Sequence, residues 1–357
     1  MGPEQSDPTA GFIQVAYGFG GGSFCLLTIP GKLARDPLDS PTRSVGTYWV
    51  YYNLHRMMTR TYPLLIDGGL SNVLEAQGCH LDHPLWTARL LESEPEAIVQ
   101  AHLRYLMAGA QCIITASYQA SIPGLLAMGY TRSASETLLL KTITLAEQAI
   151  AHYLEGQQEP TVPLIAASIG PYGAYLADGS EYRGDYGVSR QTLIDFHRER
   201  LQILEDTRAD VWACETIPSR LEAEVLADLL WLSRKPAWIS FACRNAQQLN
   251  DGTPIEEAVA CLLNHPKVWA IGVNCTAPRH IAGLIRAMKP LVNKQKIIVY
   301  PNSGESYHAP SKSWRGTTDP EVFVDMAGGW LDLGAQIIGG CCRIGPDHIR
   351  RLRAFLS

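Results

Sequence analysis

Three cysteines carry the most distinctive chemistry in this chain. Cys341 and Cys342 are neighbours, preceded by Gly339-Gly340 and followed by Arg343. Cys275 closes an apolar stretch, Trp269-Ala270-Ile271-Gly272-Val273-Asn274. Thiolates bind zinc well, and a catalytic zinc commonly keeps three protein ligands and one open position. Three sulfurs on one ion, with a place left for substrate, is one reading of the set. Small core cysteines are a second reading, and a redox-active vicinal pair is a third. Adjacent residues on a strand point to opposite faces. Neighbouring thiols therefore serve one site only where the backbone leaves regular geometry. Gly339 and Gly340 are expected to supply that freedom through positive φ or a bulge. The other cysteines past residue 62 (Cys79, Cys112, Cys214, Cys243 and Cys261) are read as small apolar fillers.

The elements that must position these thiols are regular from Pro63 onward. Short apolar runs alternate with longer stretches of helical period. The runs are Leu64-Leu65-Ile66, Cys112-Ile113-Ile114-Thr115, Leu164-Ile165-Ala166-Ala167 and Val211-Trp212-Ala213-Cys214. Trp238-Ile239-Ser240-Phe241, the run ending at Cys275, Ile297-Ile298-Val299-Tyr300 and Ile337-Ile338 complete a set of eight. Apolar runs without alternation read as parallel strands covered on both faces. Helices are expected near 97–109, 133–154, 189–206, 218–233, 254–264, 277–290, 319–333 and 346–356. Pro218, Pro254, Pro278, Pro320 and Pro346 stand near their starts, where a missing N–H costs little. Eight such units predict a single-domain (β/α)8 TIM barrel over residues 63–357. A doubly wound open sheet is the alternative.

A barrel of this kind places its active site at the C-terminal strand ends. Polar and reactive residues do gather there: Asp67-Gly68-Gly69, Thr115-Ala116-Ser117-Tyr118-Gln119, Ser168-Ile169-Gly170-Pro171-Tyr172, Glu215-Thr216, Asn274-Cys275-Thr276, Pro301-Asn302-Ser303 and Cys341-Cys342-Arg343. Sharing one barrel end favours the metal reading of the three thiols over the other two.

Composition narrows the class of function. Of 357 residues, 46% are hydrophobic and 18% charged, and the net charge of −5 gives no reason to expect a nucleic-acid or membrane-surface partner. No apolar run is long enough to span a bilayer. Nine scattered cysteines suit a reducing cytoplasm better than a secreted disulfide framework. Residues 1–62 differ from the rest, with Gly18-Phe19-Gly20-Gly21-Gly22 and no sustained period. They are read as an N-terminal extension, disordered or carried by an over-long gene model whose native start is Met57 or Met58.

The motifs together resemble the homocysteine S-methyltransferase family. Asp67-Gly68-Gly69, Gly272-Val273-Asn274-Cys275 and Gly339-Gly340-Cys341-Cys342 carry the resemblance, with Cys214-Glu215-Thr216 and Tyr300-Pro301-Asn302-Ser303-Gly304-Glu305 beside them. Thr115-Ala116-Ser117-Tyr118-Gln119-Ala120 and the stretch 170–186 resemble the branch that uses S-methylmethionine. The similarity runs over 63–356 and leaves out 1–56.

That resemblance implies a zinc enzyme that methylates L-homocysteine from S-methylmethionine and forms methionine. Cys275, Cys341 and Cys342 would be the catalytic metal ligands, with the homocysteine sulfur in the fourth position. Asp67 and Glu215 would meet the substrate ammonium, Gly68 and Gly69 its carboxylate, and Tyr118 and Asn274 would complete the substrate-binding set. Each has a plainer use. Asp67 would cap a helix or make a turn, and Glu215 would pair with Arg220 or Arg244. The segment 178–186 is read as a lid whose Tyr182 and Tyr186, with Tyr118, would face a sulfonium through cation–π attraction. S-adenosylmethionine or betaine as donor, and a non-catalytic structural-zinc or redox barrel, are the competing functions. A zinc hydrolase is disfavoured because the histidines form no ligand spacing.

Overall fold

All eight apolar runs form parallel strands. They are β1 (Leu64–Leu65), β2 (Cys112–Ile114), β3 (Leu164–Ile169), β4 (Val211–Ile217), β5 (Ala237–Phe241), β6 (Val268–Asn274), β7 (Lys296–Tyr300) and β8 (Ile337–Ile338). The computed structural model describes residues 62–81, 87–155, 157, 161–304 and 319–357, together with the backbone of 12–19, 23–30, 86, 306–308 and 313–315. In the sheet each strand lies beside its sequence neighbour from β2 through β7, then β8, then β1. The seam between β1 and β2 is joined by a parallel Ile66–Cys112 bridge. There the Gln111 N–H donates to the Leu65 carbonyl at 2.7 Å and the Asp67 N–H to the Cys112 carbonyl at 3.1 Å. The result is the expected (β/α)8 barrel.

Both faces of each strand are buried, which explains the absence of alternation in the sequence. Leu64, Ile66, Ala166, Ala213, Trp238, Ile298 and Ile337 fill the barrel interior. Their neighbours Leu65, Ile113, Ile165, Trp212, Ile239, Val299 and Ile338 pack outward into the layer under the helices. The expected helices appear within a few residues of their predicted spans, among them Pro95–Met107, Arg132–Leu154, Arg190–Glu205, Arg220–Leu230, Pro278–Met288 and Pro346–Phe355. Pro95, Pro278, Pro320 and Pro346 open helices, while Pro254 is a cap residue. Thr131, Ser189 and Ser219 cap the helices that follow them with side-chain oxygens. Among the described residues, no helix is long and apolar enough to cross a membrane.

Gly272 shows how tightly the barrel wall is drawn next to the site. A Cβ there would lie 1.7 Å from the Ile298 carbonyl oxygen on the adjacent strand. That oxygen is backbone and cannot turn away. Gly272→Ala is expected to cost about 3 kcal/mol or more of stability, at the severe end of overpacking. A urea melt reads it, with a lower midpoint at an unchanged slope.

Chain contacts separate two units, Met1–Trp49 and Val50–Ser357. In the first, Phe12–Phe19 pairs antiparallel with Ser23–Pro30. No strand period is legible there in the sequence. Apart from this hairpin, the extension read at 1–62 lies outside the described residues up to Tyr62.

Candidate active site

The strand ends bring Cys275, Cys341 and Cys342 together. Cys341 Sγ lies 2.8 Å from Cys275 Sγ and 4.0 Å from Cys342 Sγ, and the Cys275–Cys342 separation is 3.5 Å. Four sulfurs placed tetrahedrally at about 2.3 Å from a zinc ion stand about 3.8 Å apart; the Cys275–Cys342 and Cys341–Cys342 separations are close to that, and the Cys275–Cys341 pair stands closer together. Among the described residues this is the group of three ligating side chains able to hold a metal ion. The backbone braces it. The Cys341 N–H donates to the Pro301 carbonyl at 2.8 Å, the Cys275 N–H to the Tyr300 carbonyl at 3.2 Å, and the Ser303 N–H to the Cys342 carbonyl at 3.0 Å. Hydrogen bonds from the Cys275 and Cys341 thiols hold the Cys342 pKa well below its usual value.

The glycines before the thiols work differently from the expectation. Neither Gly339 nor Gly340 has positive φ; the left-handed non-glycine residues at these strand ends are Cys275 at 47°, Arg343 at 67° and Thr216 at 61°. Gly339 and Gly340 are needed for space. A Cβ on Gly339 would lie 2.3 Å from Ile66 Cγ1 and 2.7 Å from the Asp67 carbonyl oxygen. On Gly340 it would lie 2.1 Å from Ile344 Cγ2. The thiols share one side because the chain turns left-handed at Cys275 and Arg343, where non-glycine residues carry strain.

Two buried carboxylates stand beside the thiols. Asp67 Oδ2 accepts the Ile114 N–H at 2.8 Å, while Oδ1 is buried without a hydrogen-bond partner. Burial pushes its carboxyl well up, against the Ile114 N–H, and the nearby Glu215 adds to the rise. Asp67 caps no helix; Gly69 precedes the helix Leu70–Ala76 without a side-chain cap. Glu215 accepts from Ser168 Oγ and, at 3.2 Å, from Tyr300 OH. Burial raises its pKa to about 7 despite those two donors. Arg220 and Arg244, the alternative partners read from the sequence, are engaged elsewhere. Arg220 meets Glu224 at 2.7 Å and Glu257 at 3.6 Å, and Arg244 meets Gln248 at 3.0 Å.

A pocket opens over this cluster. Gly68, Gly69, Tyr118, Glu215 and the three cysteines line it. The Gly69 N–H already donates to the Ile344 carbonyl at 2.9 Å, so that half of the expected carboxylate-binding turn is engaged. Asn274 does not line the pocket. Its Oδ1 accepts the Thr216 N–H at 2.7 Å and Ser240 Oγ at 2.9 Å, and its Nδ2 donates to Thr216 Oγ1 at 2.8 Å. The side chain is fully buried, and it positions Thr216 in its left-handed turn after Glu215. Tyr182 lines the pocket, whereas the Tyr186 hydroxyl donates to Glu222 Oε2 at 2.9 Å, away from the lining. Glu222 also accepts the Tyr172 N–H at 2.6 Å and lies 2.8 Å from His197 Nε2, so it ties the segment 178–186 to two helices. The lining further includes Glu181, Gln119, Thr216 and Tyr300. No motif pattern singles out Glu181.

A (β/α)8 barrel whose C-terminal rim brings three thiols able to hold a metal ion beside two buried carboxylates has the make-up of a barrel enzyme. Comparison with known proteins is more specific. The sequence profile of the homocysteine S-methyltransferase family matches residues 64–356. A homocysteine S-methyltransferase of Bacillus subtilis is 44% identical over 300 residues, covering 83% of this chain and 95% of that protein. A selenocysteine Se-methyltransferase of Brassica oleracea is 41% identical over 321 residues, covering 86% and 92%. The metallated crystal structure of the homocysteine methyltransferase MmuM of Escherichia coli superposes with a TM-score of 0.77 at 41% identity, covering 85% of this chain and 99% of that one. The chain belongs to the homocysteine S-methyltransferase family.

Proposed function

We propose that this protein transfers a methyl group from S-methylmethionine to the thiol of L-homocysteine, giving two methionines, with a zinc ion held by Cys275, Cys341 and Cys342. The observation that carries the reading is the convergence of three thiols and the buried Glu215 on one pocket, with the buried Asp67 next to Gly68 and Gly69 of its lining. A soft all-sulfur donor set suits zinc. What the zinc supplies when bound is positive charge that favours thiolate over thiol at the acceptor sulfur.

The chain's own residues bind and orient. Asp67 and Glu215 hold the acceptor ammonium between them: Asp67 Oδ1 has no hydrogen-bond partner, and each Glu215 oxygen, with one bond from Ser168 or Tyr300, keeps a further lone pair for a donor. The Gly68 half of the Gly68-Gly69 turn takes the carboxylate end. Tyr118 presents a ring to the sulfonium, an attraction of about 0.5–2 kcal/mol. Asn274 acts at one remove, through Thr216. Thiolate and sulfonium lose their charges together on transfer, and an apolar buried wall favours that change. The described cysteines are all free thiols, and we place the protein in the cytoplasm.

The test is an assay of purified protein with homocysteine against S-methylmethionine, S-adenosylmethionine and betaine in turn, and with selenocysteine as a second acceptor. Methionine should form fastest from S-methylmethionine and homocysteine. Dialysis against a chelator should abolish the activity and added zinc should restore it. Full turnover by metal-free protein overturns the metal assignment, and turnover with betaine alone overturns the donor.

A further inference from the structure

One wall of the pocket holds a carboxylate that the acceptor does not need. Glu181 lies in the 3-10 turn Ser180–Tyr182 and lines the pocket together with Tyr182, Tyr118 and the three cysteines. Its Oε2 is buried and has no hydrogen-bond partner. The neighbouring Arg183 directs its guanidinium to Asp178 at 3.4 Å and Asp185 at 4.0 Å.

The carboxylate is not on a loose loop. Gly173 lies so close beneath it that a Cβ there would be 2.4 Å from the Glu181 nitrogen. Asn250 Nδ2 donates to the Glu181 carbonyl at 3.2 Å, the Ser180 N–H to Asp178 Oδ1 at 2.9 Å, and the Gly184 N–H to the Ser180 carbonyl at 2.9 Å. An anchored backbone therefore presents a buried acceptor oxygen to a substrate pocket. Such a group is costly to leave unpaired, and a cationic ligand removes the cost. Burial raises its pKa to about 7, with the charges of Asp178 and Cys342 contributing, as suits a site that waits for a cation.

Three cationic groups enter this pocket in the reaction proposed above. The acceptor ammonium already has Asp67 and Glu215. The donor sulfonium loses its charge on transfer, so a carboxylate beside it would stabilise the starting state more than the transition state. The donor ammonium keeps its charge throughout. We propose that Glu181 binds the α-ammonium of the methyl donor, leaving Tyr182 and Tyr118 to face the sulfonium. This rests on the methyl-transfer reading. It makes the pocket selective for sulfonium donors that are amino acids, with one carboxylate wall for each substrate's ammonium.

Calorimetry on zinc-loaded protein without acceptor tests it. The probes are S-methylmethionine and 4-(dimethylsulfonio)butanoate, the same molecule without its amino group. Glu181→Gln should weaken S-methylmethionine binding roughly 10- to 100-fold, the scale of a lost hydrogen bond to a charged group. It should leave the binding of the butanoate, the zinc content and the KM for homocysteine as in the wild type. Equal weakening of both probes, or undiminished binding of S-methylmethionine, overturns the assignment. Failure of wild-type protein to use S-methylmethionine overturns the methyl-transfer reading itself, and that result appears in the wild-type arm alone.

Discussion

Cys341→Ala is expected to abolish metal binding and methyl transfer together. Cys341 sulfur is 2.8 Å from that of Cys275 and 4.0 Å from that of Cys342, so its removal leaves two sulfurs 3.5 Å apart. Loss of residues that merely support a ligand costs about 10- to 100-fold in metal affinity or activity. Loss of a ligand itself should exceed about 100-fold in affinity, and activity should fall below detection. The variant should still fold. Alanine keeps the Cβ, and the main-chain bond from residue 341 to the Pro301 carbonyl does not depend on the thiol. Metal content by mass spectrometry and methionine formation are measured on the same preparation. Cys261→Ala is the control. Cys261 is half-buried on the outer layer and its thiol bonds only to the Ala258 carbonyl at 3.0 Å, so metal and activity should be unchanged. The redox alternative for Cys341 and Cys342 predicts a different pattern, in which activity follows the reductant while wild-type metal content does not matter. A Cys341→Ala enzyme that keeps its zinc and its turnover would remove the site from consideration.

Much of the barrel is legible in the sequence because burial on both strand faces leaves an unbroken apolar run. Leu164–Ile169 and Val211–Ile217 are buried throughout, and the sequence shows it. The strand ends are legible too, since polar residues after such runs can only gather at one rim. What escapes is local conformation and fine partnership. Positive φ at Thr216, Cys275 and Arg343 has no composition signal, because none is glycine or asparagine. Gly339 and Gly340 look like conformational devices and are instead space for Ile66, Asp67 and Ile344, contacts that exist only once the barrel closes. Asn274 looks like a substrate ligand, yet its amide is saturated by Thr216 and Ser240 from two other strand ends. Glu181 hides in a polar segment whose tyrosines draw attention first. One of those, Tyr186, is tied to Glu222.

Glu215→Gln should separate what the site needs for binding from what the fold prefers. Burial holds the Glu215 carboxyl at about 7 in the folded protein, against about 4.3 in an unfolded chain. Between those values the folded state binds the extra proton, so stability must fall as pH rises through 7. The full contribution is about 4 kcal/mol, present below the unfolded pKa and lost above the folded one. Acceptor binding runs the other way, because only the ionised carboxylate attracts an ammonium. The wild-type KM for homocysteine should therefore drop as pH rises from about 6 to 8, while the substrate-free protein melts at a lower temperature. In Glu215→Gln both trends should flatten. Ser168 Oγ and Tyr300 OH can each bond to an amide, so the variant should fold, and above pH 7 it should melt higher than the wild type. Its kcat/KM for homocysteine should be lower by roughly 100-fold or more, the scale of breaking a buried charge pair. Comparing the two proteins at each pH cancels the ionisation of the acceptor thiol, which is common to both. A KM that falls with pH equally in both proteins would show that the thiol alone sets the profile, and Glu215 would then lose its role at the ammonium.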